Sequence, residues 1–70
     1  MSNWSLYSLD DGDMCFLCEA RSADALKTKA RGFRKHGYAF PFIIKSPHGR
    51  DTYRCDGETR TGKFQRWIWL

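Results

Sequence analysis

Nowhere in this chain do apolar residues run on for the roughly 18 positions a membrane span requires. The opening Met1-Ser2-Asn3-Trp4 shows no basic start leading into an apolar stretch, so a secretory signal is not expected. Cysteine is scarce and odd in number, three residues in all, which cannot all pair within one chain. That argues against a disulfide-stapled secreted scaffold and makes the reducing cytoplasm the expected setting. Basic residues are missing altogether from the first twenty positions. Internal repeats, linkers and low-complexity segments are absent as well, so no array or multidomain architecture is in prospect.

What is present is aromatic bulk. Seventy residues allow one domain, residues 1–70, and a chain so short buries only about 60% of the surface its unfolded form exposes. Three Trp, three Tyr and five Phe, 16% of the chain, offset this, since each can bury roughly 150–250 Å². Disorder is not expected from such a composition.

Charge is segregated. Residues 1–20 hold Asp10, Asp11, Asp13 and Glu19 for a sum of −4, while residues 21–70 hold all twelve Lys and Arg against four carboxylates for +8. The net +4 is ordinary for a small domain, but the asymmetry points to an acidic ligand for the basic part.

The pattern predicts an α+β fold in the order β-β-α-β-β-β, an antiparallel sheet of four to five strands packed on one helix. Trp4–Leu9 and Met14–Ala20 read as strands joined by a tight turn at Asp11-Gly12. Ser22 reads as an N-cap and Gly37 as the residue past the C-terminus of a helix over 23–36. Ala23, Leu26, Ala30 and Phe33 recur along one of its faces. Tyr38–Lys45 is a third strand, and Pro41 within it implies an edge or a bulge. Thr52–Cys55 is a fourth. Phe64–Leu70 is a fifth, with large apolar groups on both faces, so a central or doubly covered position is expected.

Two features carry a functional expectation. On the helix, Lys27, Arg31, Arg34 and Lys35 fall in one arc beside the apolar stripe, opposed within the helix only by Asp24. Mixed signs at i,i+4 would stabilise such a helix, so a one-sign face reads as facing phosphates or carboxylates, or else as merely solvated. The second feature is the polar loop Asp56–Lys63, with Arg54, Arg60, Lys63 and Arg66 around it. The string Gly57-Glu58-Thr59-Arg60-Thr61-Gly62-Lys63 resembles a phosphate-binding loop only in part. Phe64 stands where Ser or Thr is needed and no helix is predicted to follow, so nucleotide binding of that kind is rejected.

Other chemistries are thinner. Cys15 and Cys18 have zinc-ligand spacing, with His36, His48 and Cys55 as candidate completers. A strand, however, turns i and i+3 to opposite sides and a second close pair is missing, so no metal site and buried structural cysteines are expected. Trp67, Trp69, Tyr53 and Tyr38 could stack bases on an open sheet, although a chain this small needs its Trp residues in the core. A metal-free ribonuclease of the toxin kind would use His36 or His48 with Arg50 or Lys45, but a lone turn histidine is not a mechanism.

The sequence thus leads to a non-enzymatic, cofactor-free binding or regulatory module that engages DNA or RNA phosphates. An inhibitor or adaptor of the phage or mobile-element type, occupying an acidic surface of a larger host protein, is the alternative. The strand–helix–strand layout is similar to that of small phage proteins that inhibit host machinery, a likeness of layout and not of motifs. In that alternative the strand at Tyr38–Lys45 would add to a partner's sheet. No membrane is implied by either.

Overall fold

Period-two alternation and the local turn chemistry produce the first hairpin. Asp11 and Gly12 take φ of 50° and 84°, the left-handed pair a two-residue turn demands, between β1 (Trp4–Asp10) and β2 (Asp13–Ala20). The computed structural model describes residues 3–70; Met1 and Ser2, part of the stretch read for a signal, lie outside the described residues. Helix α1 (Ala23–Lys35) follows at once. Ser22 Oγ accepts from the Ala25 N–H at 3.2 Å, satisfying one of the orphan donors of the first turn. At the other end Gly37, at φ 96°, lets its N–H donate to the Arg34 carbonyl at 3.0 Å. Beyond lie β3 (Phe42–Lys45), β4 (Thr52–Cys55) and the two-residue β5 (Ile68–Trp69).

The five strands form one antiparallel-paired sheet in the order β2-β1-β3-β4-β5, with α1 laid over β1, β2 and β3. Strands β2 and β3 both pair antiparallel with β1 and flank it, so the helix is the crossover between two parallel strands that β1 separates. Leu6, Phe42 and Ile44 of the sheet and Leu26 and Ala30 of the helix are wholly buried between the layers. Their order in sequence is the predicted one: the helix stripe Ala23, Leu26, Ala30 and Phe33 faces the sheet. The segment 56–67 extends this core beside the helix. Phe64 lies 4.9 Å from the Phe40 ring and 5.7 Å from the Phe42 ring, centroid to centroid, and Trp67 packs behind it.

Three expectations are overturned. The third strand is interior, not an edge: Pro41 stands just before Phe42 and outside the ladder, so its missing N–H costs no inter-strand bond, and its carbonyl accepts from Leu9 N–H at 3.0 Å. With both sides of Phe42–Lys45 paired, the predicted strand Tyr38–Lys45 has no free edge there to offer a partner. The fifth strand is neither central nor covered on both sides. It shrinks to Ile68–Trp69 at the sheet margin, because Phe64 and Trp67 are drawn into the core beside Phe40 and Phe42. Trp69 is left 65% exposed, its Nε1 donating to Asp51 Oδ1 at 3.1 Å.

The cysteines are the third. The register slips between Leu6 and Tyr7, so that Cys18 sits opposite Leu6 and Cys15 opposite Ser8. Leu17 is the extra residue of this bulge. Both thiols consequently take the helix side, where an unbroken strand would have parted them. Yet β2 is an edge strand, and only Cys55 is buried; Cys18 is half-buried and Cys15 exposed.

Candidate nucleic-acid interface

Segment 56–65 is an ordered miniature hairpin. Glu58 and Phe64 bridge, the Thr59 N–H donates to the Lys63 carbonyl at 2.6 Å, and the Gln65 N–H donates to the Gly57 carbonyl at 2.9 Å. Gly62 closes the turn at φ 81°, a conformation that favours glycine. Lys63 therefore lies in a strand-like arm with no helix behind it, and phosphate cradling of the nucleotide-loop type has no structural basis.

This hairpin packs beside the last two turns of α1. Arg31, Arg34 and Lys35 from the helix and Glu58, Gly62, Lys63 and Phe64 from the hairpin line one open cleft of about 520 Å³. The helix supplies its cations at i, i+3 and i+4, which share a face. Arg34 and Lys35 also sit in the final turn, where positive charge complements the helix dipole. Phe64 also lines the cleft, its ring packed against Phe40 and Phe42.

Arg34 holds the cleft together. Its Nε donates to Glu58 Oε1 at 3.0 Å, another guanidinium nitrogen donates to the Tyr38 carbonyl at 3.1 Å, and the guanidinium lies 4.9 Å from the Phe40 ring centroid. One side chain thus ties the hairpin, the helix end and the segment entering β3. Arg31, Lys35 and Lys63 pair with no carboxylate among the described residues and present their charge to the cleft. A cleft with three unpaired cations and one clamped arginine suits a phosphodiester.

The other predicted site residues are dispersed. Lys27 reaches Asp24 at 3.7 Å and lies 5.5 Å over the Tyr53 ring, toward β4 and away from the cleft. Arg54 turns to the face of the sheet that the helix does not cover, its Nε 2.8 Å from Asp56 Oδ1. Arg60 is exposed in the hairpin turn and Arg66 is exposed ahead of β5; neither lines the cleft. Glu58 and Phe64, which also line the cleft, were not foreseen as part of the site. Nothing local marks them, because the salt bridge that recruits Glu58 spans 24 positions in sequence.

His36 caps the helix and is exposed, as is His48 in the turn after β3. Among the described residues no three His, Cys, Asp or Glu side chains come together as metal ligands. Of the candidate stacking tryptophans only Trp69 is well exposed, while Trp67 packs against the core.

No helix of the described residues is long and apolar enough to cross a membrane. In class this is a small α+β domain, a five-stranded sheet covered on one side by a single helix. No family model, curated protein or solved structure matches the chain.

Proposed function

We propose that this protein is a non-enzymatic nucleic-acid-binding module that grips phosphates in the cleft between the C-terminal half of α1 and the 58–64 hairpin. The observation that supports the reading is the meeting of Arg31, Arg34 and Lys35 with Lys63 around one cleft, despite their separation along the chain. Binding of this kind is driven by counterion release, is strongly salt-dependent and discriminates little between sequences.

The test is fluorescence anisotropy with single- and double-stranded DNA and RNA oligonucleotides over a range of salt. Log affinity should fall linearly with log salt. Arg31→Glu combined with Lys63→Glu should weaken binding on the order of tenfold or more and flatten the slope by about 0.7–0.9 for each phosphate no longer neutralised. Arg60→Glu, outside the cleft, should do much less. Arg34 is avoided in this test because its removal would also release Glu58 and the Tyr38 carbonyl. Absence of salt-sensitive affinity for all four nucleic acids rejects the reading. A stoichiometric protein partner retained after nuclease treatment would then favour the inhibitor or adaptor alternative.

A further inference from the structure

The side of the sheet turned away from α1 is covered by no element among the described residues. Cross-strand register sets out what lies there. Phe16, Tyr7 and Ile43 stand side by side across β2, β1 and β3, and Leu9 pairs with Met14 in the next row. Phe16 is 52% exposed and Met14 41%, values far from those of the opposite face. Between that opposite face and α1, only Leu6, Leu26, Ala30, Phe42 and Ile44, with Cys55, are fully enclosed apolar side chains among the described residues. A domain with so small a core commonly needs further burial from a partner.

The polar row on the bare face shows which partner fits. Ser5 of β1 registers with Glu19 on one side and Lys45 on the other, so an anion and a cation flank β1 at the same level. The apolar residues are centred on β1 in the same way, Phe16 to one side and Ile43 to the other. Lys45 lies over this face, its Nζ 5.6 Å from the Tyr7 ring centroid.

A two-fold axis parallel to β1 and passing in front of it exchanges the two flanks. It sets Glu19 of each copy against Lys45 of the other, twice over, and Phe16 of each against Ile43 of the other, with Tyr7 meeting its own counterpart. We propose that the bare sheet face is a homodimer interface of this isologous kind, two copies packing face to face as an aligned sandwich. The cleft between α1 and the 58–64 hairpin belongs to the opposite layer, so dimerisation and nucleic-acid binding are independent of one another.

Sedimentation equilibrium on the full chain tests it. The wild type should show a concentration-dependent dimer. Phe16→Lys should give a monomer with an unchanged far-UV circular dichroism spectrum, the dimer weakened on the order of tenfold or more. The decisive arm uses Glu19→Lys and Lys45→Glu. Each variant alone brings like charges together and should be monomeric, whereas an equimolar mixture of the two restores opposite charges across the interface and should dimerise. This arm stands even if Phe16→Lys fails to fold. A wild type that is monomeric at every concentration overturns the proposal, and so does a mixture no more dimeric than its components. A monomer whose Phe16→Lys form loses affinity for single-stranded RNA overturns it in favour of a base-stacking face.

Discussion

The two faces of the sheet are made by the same strands and differ in almost everything else. On the helix side Leu6, Phe42, Ile44 and Cys55 are fully enclosed, and even Ser8 is 1% exposed, its hydroxyl donating to the Ala39 carbonyl at 2.8 Å. On the other side Tyr7, Phe16, Ile43 and Ile68 are nearly as apolar, yet Phe16 and Ile68 stand about half exposed, at 52% and 47%. Alternation assigns residues to faces; it does not say which face receives a cover. One short amphipathic helix and one folded-back hairpin close a single layer, and the described residues leave the second face bare. Stability is therefore concentrated on one side, and the other is free to meet a partner.

Neighbouring substitutions should sharpen this contrast most. Phe42→Ala, on the enclosed face, should cost about 3–5 kcal/mol, whereas Ile43→Ala, one residue on and facing outward, should cost about 1 kcal/mol, both read from urea unfolding at dilute concentration. Equal losses would break the comparison by showing that the bare face is covered in solution. A smaller effect should come from Ser8→Ala, which strips the Ala39 carbonyl of its donor and should cost about 1–2 kcal/mol. The control is Ser5→Ala on the bare face, where the hydroxyl makes no hydrogen bond among the described residues and its loss should change little. Ser22→Ala removes the cap of the covering helix and should cost about 1 kcal/mol, read as a lower thermal midpoint.

The thiols report the smallest difference. Burial pushes the Cys55 thiol above its ordinary value of 9.0, partly offset by backbone hydrogen bonding at Gly57 and Gln65. Burial raises Cys18 as well, against the lowering effect of Lys29. A raised thiol pKa means that the folded state holds its proton to higher pH than the unfolded chain does. The associated stability is complete below 9.0 and is lost as pH rises through the folded value. Thermal midpoints should accordingly decline above pH 9.0, and less so in Cys55→Val. In parallel, an aromatic disulfide reagent should label exposed Cys15 at once and Cys55 only on unfolding.

The candidate cleft shows the same division between near and far. That the helix would bear a cationic arc was readable from spacing, and Arg31, Arg34 and Lys35 do line one cleft. That Lys63 would join them, while Lys27, Arg54, Arg60 and Arg66 would not, depended on where the 58–64 hairpin came to rest. The aromatic residues decided that: Phe64 seeks Phe40 and Phe42, and carries Lys63 and Glu58 to the helix with it. The same pull took Phe64 and Trp67 out of the expected last strand. The cysteine spacing misled for a related reason, since one inserted residue at Leu17 reverses the facing of everything beyond it.

Elements whose determinants lie within a few residues of one another were settled by composition and order alone. The Asp11-Gly12 turn needs only its own backbone freedom, and α1 needs only its cap, its stripe and its terminal glycine. Strand order, the choice of covered face and the membership of the cleft belong to tertiary structure. Each rests on contacts between distant segments, such as Arg34 with Glu58 across 24 positions, whose free energy appears only when the intervening chain has already folded.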